Sequence, residues 1–521
     1  MNQELRHKIG QKFVIGFPGK EISQELRDAV EQYHFGNIIL FRENLQDEEQ
    51  TKRLCQDLHE LILGVTGKAP LISIDQEGGM VTRLTEDALN IPGAMALAAT
   101  EDLNLIRRLN VINGKLLRDQ GFSLNLAPVM DINNEVDNPV IGVRSYGDTP
   151  EVVATYAKEA FLGLQEGGIL ASAKHFPGHG DTKVDSHLGL PSVNIDRKTL
   201  EERELVPFKM ASQEGIATIM TTHILFPQIE TEDVPATMSR TILTDILRDE
   251  IGFEGLIISD CMEMQAIGVH YGTPYGVKTA FQAGVDLCFV SHHPEVAIES
   301  FHAAYEAYEK GEIPMEELDA SVARIASYKQ RAFEVEVNLK DEEKEAFRKE
   351  ILDTMSKTFC VVGEKAVSDF VLDKDSIVFS PEPYRATNIS NVMQDKVSMA
   401  LNIGKAFGIS HTETPARPTT EDIKAIVDQA KDKKSIILGL YNAHVFTEQL
   451  DLWKGLRALG KPILLVALRN PYDLMYLDQA EEVGLSIFEY TEKSMQALIQ
   501  VLQGEVEASG KLSVQLPERT L

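Results

Sequence analysis

Eight short apolar runs, with helical patterns between them, recur through residues 12–292, and this repetition restricts the fold more than any other feature of the chain. They are KFVIGF at 12–17, GNIILF at 36–41, PLISID at 70–75, FSLNLAPV at 122–129, GGILASAKH at 167–175, IATIMTTH at 216–223, GLIISD at 255–260 and VDLCFVSH at 285–292. Most are rich in Val, Ile and Leu without polar alternation, as expected of strands buried on both faces of a parallel sheet. Eight such strands separated by helices predict a (β/α)8, TIM-like barrel. A doubly wound open sheet gives similar local patterns, but the count and the length of the segment favour the barrel.

After the eighth run, EVAIESFHAAYEAYEKGEI and MEELDASVARIASYKQRAF are amphipathic and helical. KDEEKEAFRKEILDTMSKTF is highly charged at its start, which suits a helix connecting two domains. From about Ala366 a fresh alternation of strand and helix begins, with DSIVFS, SIILGLYN, PILLVALRNP, LSIFEYT and finally KLSVQLP as its apolar runs. The predicted organisation is a barrel over 1–335, a linker helix over 336–365 and a smaller α/β sandwich over 366–521. A chain of 521 residues exceeds the ordinary size of one domain.

The chain carries 51 basic and 80 acidic side chains, a formal net charge of −29. Such a surface repels phosphate backbones and anionic membrane faces, so neither nucleic acid nor a membrane is an expected partner. The four cysteines, Cys55, Cys261, Cys288 and Cys360, lack CxxC spacing and read as free thiols in a reducing compartment. The start, MNQELRHKIGQKF, has no apolar signal core, and no stretch is long enough to span a bilayer. The cytoplasm is the expected location. IGQKFVIGFPGK has neither spacing of a phosphate-cradling glycine loop, and no cofactor is expected.

Nearly every apolar run ends in something polar. Asp75 ends the third, Lys174 and His175 the fifth, His223 the sixth, Asp260 the seventh, and Ser291 with His292 the eighth. In a barrel these ends lie on one rim, where catalytic groups are found. Solvent also begins at strand ends, so a polar residue there has a second, uneventful explanation. The segment KHFPGHGDTKVDSHLGLP at 174–191 is broken by Pro177, Gly178 and Gly180 and is therefore a loop dense in ionisable groups.

Asp260, rigidly held at the end of GLIISD and partly desolvated, suits covalent attack on an electrophilic carbon, although capping of the next helix explains it too. Asp185 and His187 alternate, so in an extended segment both side chains fall on one side. A carboxylate on one ring nitrogen leaves the other to exchange a proton near neutral pH. His175, His179, Asp185 and His187 are also metal-type ligands, but no HxH pair ends an early strand, and no metal is expected. Asp75, Arg83, Arg144, Lys174 and His175 form a set of fixed donors and acceptors suited to a ligand covered in hydroxyls. Salt bridges between loops would account for Arg83 and Arg144 equally. His444 in YNAHVF stands alone and reads as structural.

IDQEGGMVTRL, LNLAPVMDINNEVDNPVIGVRSYG, SAKHFPGHGDTKVDSHLGLP and GLIISDCMEM together resemble the successive motifs of glycoside hydrolase family 3, in its bacterial β-N-acetylglucosaminidase branch. The likeness is dense over 1–335 and loose beyond, where GKLSVQLP is similar to the end of the family's second domain. In related β-glucosidases a glutamate of the second domain is the acid/base, whereas this branch uses an Asp and a His on a mobile barrel loop. The resemblance implies that Asp260 is the nucleophile of a retaining reaction, His187 the acid/base and Asp185 the group that orients it. It implies further that Asp75, Arg83, Arg144, Lys174 and His175 hold the sugar, and that cell-wall fragments are the substrate. Met80 is a departure, since the family often carries Arg there. Alternatives are a β-glucosidase-like or phosphorolytic member of the family, a metal-dependent barrel hydrolase, and a sugar-binding protein without turnover. The role of the second domain is left open.

Overall fold

The structure, a computed structural model, describes residues 1–182, 189–381 and 397–521. Each of the eight apolar runs gives one barrel strand, two of which extend one residue past their run: β1 (Phe13–Ile15), β2 (Asn37–Ile39), β3 (Leu71–Ile74), β4 (Leu124–Asn125), β5 (Leu170–Phe176), β6 (Thr218–Thr221), β7 (Leu256–Cys261) and β8 (Leu287–Val290). They follow one another in sequence order, all parallel, and β8 closes on β1 through Val14 opposite Phe289. The open-sheet alternative is thereby excluded.

Why the runs lack polar alternation is evident from their packing. Val14, Ile39, Leu71, Leu124, Leu170, Met220, Leu256 and Leu287, drawn from all eight strands, form one buried cluster. Their alternates, such as Phe13, Ile15, Ile38, Ile72, Ala171, Ile219, Ile257 and Cys288, pack in another cluster with the surrounding helices. Side chains of period two thus meet apolar surroundings on both faces.

Strand pairing is irregular where the sequence places its polar ends. The β5–β6 register shifts between Ala173 and Phe176, and the β7–β8 register between Ile258 and Cys261. Such irregularities re-aim side chains, and these two bracket Lys174, His175 and Asp260.

The second domain is a six-stranded sheet in the order β11-β10-β12-β13-β14-β9. Its strands are β9 (Cys360–Val362), β10 (Ser376–Pro381), β11 (Ser410–Thr414), β12 (Ser435–Leu440), β13 (Ile463–Ala467) and β14 (Val483–Ser486). All neighbours are parallel except β14 and β9. The sequence locates β10, β12 and β13. It misplaces β14, which lies N-terminal to most of LSIFEYT, and it misreads KLSVQLP, which forms no strand. It misses β11, whose SHTET has the mixed exposure of an edge strand and no apolar signal. Within 336–365 the structure has a helix, Asp341–Thr358, and then β9, which joins the second sheet.

The domains share buried surface. Met95, Ala96, Ala99 and Val143 of the barrel pack with Cys360, Tyr472, Phe488 and Val514. Asn133 donates from Nδ2 to the Tyr472 hydroxyl at 2.7 Å, and the Val143 N–H donates to Asn470 Oδ1 at 3.2 Å. His444 is buried against Asp473, with Nδ1 2.7 Å from its carboxylate. No helix among the described residues is long and apolar enough to cross a membrane.

Candidate active site

At the C-terminal rim of the barrel, β3 and β5 deliver charges that interlock. Lys174 Nζ lies 2.7 Å from both Asp75 Oδ1 and Glu77 Oε1. Arg144, on the loop after β4, donates from Nε and Nη2 to the two oxygens of the same Glu77, at 2.9 and 2.7 Å. Arg83 approaches Asp75 at 3.7 Å. The result is an alternating array, Arg83, Asp75, Lys174, Glu77 and Arg144.

Electrostatics keep Glu77, Lys174 and Arg144 ionised. Burial alone would raise the Glu77 carboxyl, but Arg144 and Lys174 hold it far below the usual carboxylate range. Burial alone would likewise lower Lys174, and Asp75 with Glu77 raises it instead. Arg144 is held charged against burial by Glu77 in the same manner. Such a buried set is expensive to disrupt at any one member, because the remaining charges lose their partners. Of the carboxylates in it, Asp75 is the more accessible, with 21% of its side chain exposed against 7% for Glu77.

His175 follows Lys174 and turns to a different carboxylate. Its Nδ1 donates to Asp131 Oδ2 at 2.7 Å, which fixes the ring and leaves Nε2 for a ligand. Asp131 also accepts the N–H of His175 at 3.1 Å and of His179 at 2.7 Å. Burial opposes ionisation of Asp131, and His175 and these hydrogen bonds overcome it, so its pKa falls. His179 is buried, with Nδ1 2.9 Å from Thr182 Oγ1, and burial with the nearby His175 pushes it down to about 4. It is therefore a neutral strut of the loop at pH 7, and with His175 it is committed to Asp131.

Asp260 stands at the partly exposed end of β7, where its Oδ1 accepts the Cys261 N–H at 2.7 Å. His223, at the end of β6, donates from Nε2 to the Cys261 carbonyl at 2.9 Å and places Nδ1 2.8 Å from Thr237 Oγ1. His223 thus ties the strand end that carries Asp260, a role its rim position alone does not reveal. Ser291 and His292 lie at the end of β8, where the His292 N–H donates to Glu263.

Asp185 and His187 fall in 183–188, outside the described residues. The flanking segment is anchored: Asn138 Nδ2 donates to the carbonyls of His179 and Gly180 at 3.0 and 2.9 Å. Arg203 pairs with Asp181 at 2.7 Å and with Glu204 at 2.6 Å. Asp75, Arg83, Arg144 and Lys174 come together as one constellation, with His175 beside them. Sequence reasoning missed Glu77 and Asp131, although both lie inside motifs quoted above. Glu77 had a signal, an acid two residues after Asp75 on the same loop; Asp131 had none beyond the polarity of its surroundings.

Residues 4–328 match the family model described as Glycosyl hydrolase family 3 N terminal domain. The chain is 36% identical over 330 residues to Beta-hexosaminidase A of Pseudoalteromonas piscicida, spanning 58% of this chain but only 55% of that protein. It is 33% identical over 291 residues to a Beta-hexosaminidase of Thiobacillus denitrificans, covering 54% of this chain and 78% of the relative. A glycoside hydrolase family 3 beta-N-acetylglucosaminidase from Paenibacillus sp. str. FPU-7 superposes with a TM-score of 0.90 at 35% identity, over 99% of each chain.

Proposed function

Because the chain belongs to glycosyl hydrolase family 3, we propose that it is a retaining, exo-acting β-N-acetylglucosaminidase that releases terminal β-linked N-acetylglucosamine, with muropeptide-type fragments as natural substrates. The observation that carries the reading is the array of Asp75, Lys174, Glu77 and Arg144 on the rim that also bears Asp260. Alternating carboxylates and cations match hydroxyls, each of which donates and accepts. The likeness to the Paenibacillus enzyme over both domains supports the acetamido sugar.

In this mechanism Asp260 attacks the anomeric carbon and forms a glycosyl-enzyme, while the aglycone oxygen departs with a proton from His187. Asp185 orients the His187 ring and stabilises its charged form. His187, now neutral, removes a proton from water as the water displaces Asp260, and two displacements at one carbon retain its configuration. Asp75, Arg83, Lys174 and His175 Nε2 hold the hydroxyls. Arg144 contributes through Glu77, which its guanidinium keeps beside Lys174. The enzyme works in the cytoplasm, in keeping with four cysteines that are all unpaired.

Release of 4-nitrophenol from aryl β-N-acetylglucosaminide and aryl β-glucoside, with and without phosphate, tests this reading. Wild type should prefer the acetamido sugar and need no phosphate. Asp260→Ala should lower turnover about 10³-fold or more. His187→Ala should lose about 10²–10⁴-fold on poor leaving groups and much less on good ones. Near-wild-type activity of Asp260→Ala, or equal losses across leaving groups in His187→Ala, would overturn the assignment. A strict requirement for phosphate would make the enzyme a phosphorylase.

A further inference from the structure

The loop that carries Asp75, Glu77 and Arg83 is braced from within by two amides and gripped from outside by the second domain. Gln76 is fully buried, and its Oε1 accepts the Arg83 N–H at 3.0 Å and the Thr82 hydroxyl at 2.8 Å. Its Nε2 donates to Asn90 Oδ1 at 2.9 Å, and Asn90 Nδ2 donates to the Gly79 carbonyl at 3.0 Å. The conformation of residues 76–90 is therefore tied to the place of Asn90.

Asn90 is in turn held by the other domain. Lys493 Nζ, in the first turn of the helix Glu492–Gln503, donates to the Asn90 carbonyl at 2.8 Å. Glu489, just after β14, accepts the Gly93 N–H on Oε1 at 3.2 Å. Between them the Tyr490 N–H points at Met80 Sδ, 3.2 Å away, and Met80 lies in the second domain's core with Ile487, Tyr490, Met495 and Leu498. Gly79 (φ +53) fits here because a Cβ would come within 2.9 Å of Gly93 and 3.4 Å of Glu489 Oε1.

Among the described residues Glu489 and Lys493 form no ion pair, and each reaches across to barrel backbone instead. Both are held there against desolvation, which pushes Glu489 up to about 7 and Lys493 down to about 8.

We infer that Lys493 and Glu489 are positioning residues for sugar binding: from the second domain they fix Asn90 and Gly93, and through Asn90 and Gln76 they set the placement of Asp75 and Arg83. The inference rests on the reading of Asp75 and Arg83 as sugar contacts. It gives the second domain a defined part in the reaction without a group in the cleft, and it gives Met80 a task as the apolar plug between the two polar contacts.

The test is the split between KM and kcat on an aryl β-N-acetylglucosaminide, with the inhibition constant of free N-acetylglucosamine and the Tm, for Lys493→Met, Glu489→Gln, Lys493→Arg and Arg83→Met. Lys493→Met and Glu489→Gln should raise KM and the inhibition constant about 3- to 30-fold with kcat changed far less. Lys493→Arg, which still donates to the Asn90 carbonyl, should restore most of the loss. Unchanged KM and inhibition constant in Lys493→Met and Glu489→Gln, whether or not Tm falls, would overturn the inference provided Arg83→Met raises both. If Arg83→Met raises neither, the sugar-contact reading fails and takes the inference with it.

Discussion

Glu204 shows what a single carboxyl can do when the fold leaves it half paired. It is 2% exposed under the loop that leads to Asp185 and His187, and its Oε1 accepts from Arg203 Nε at 2.6 Å. Its Oε2 has no hydrogen-bond partner among the described residues. Burial pushes its pKa from 4.5 up to about 7, with Arg203 opposing and Asp131 and Asp181 adding to the rise. A folded-state pKa above the unfolded one means the native protein binds the proton more tightly. That contribution to stability is complete below pH 4.5 and is lost as pH rises through 7. Relative to Glu204→Gln, wild type should lose up to about 3 kcal/mol between pH 4.5 and 8, read by denaturant unfolding at several pH values. Parallel stability profiles for the two proteins would contradict this. Neither Glu204 nor Asp131 stands out in the sequence, because their importance lies in burial, which one-dimensional spacing does not encode.

At the scale of elements, the loop after β5 is closely packed where it leaves the barrel. Gly180 sits so close to the loop after β4 that a Cβ would lie 1.6 Å from the Ile132 carbonyl oxygen. Gly180→Ala must therefore displace the segment that Asn138 clamps, and with it the approach of Asp185 and His187. A shift of about 1 Å at a catalytic group lowers rates about 10²-fold, and a loss of that order in kcat/KM is expected. Gly64→Ala is the matched control. It lies in the helix Glu48–Thr66 with nothing within 4 Å of an added Cβ, and should stabilise by up to about 1 kcal/mol at unchanged activity. Equal activity of the two variants would show that the loop base tolerates displacement.

At the scale of the whole molecule, the two domains are joined by a shared buried apolar cluster. Phe488, 2% exposed and with φ 62, packs into the cluster that Met95, Ala96, Ala99 and Val143 share with Tyr472 and Val514. Truncating a buried Phe costs about 3–5 kcal/mol, and here the loss falls on the joint between the domains. Calorimetry of Phe488→Ala should show a lower first transition and a separation of barrel and sandwich melting. A single transition at the wild-type Tm would mean that the domains are coupled elsewhere.

The sequence by itself favoured the barrel, because strands buried on both faces are mostly apolar and eight of them leave eight short apolar runs; closure of β8 on β1 excluded the open sheet. The sequence determined β10, β12 and β13 for the same reason, and it named Asp75, Arg83, Arg144 and Lys174, which the fold gathers into one array. Polar edge strand β11 left no such trace, since an exposed strand needs no apolar pattern, and β9 falls inside the stretch read as a linker helix. Only the tertiary structure decided the partners. Glu77 between Lys174 and Arg144, Asp131 beneath His175, and Lys493 against Asn90 are contacts over tens to hundreds of residues. Each is fixed by where closure of the barrel and docking of the second sheet bring the chain, and by the need to pair every charge that this closure takes from water.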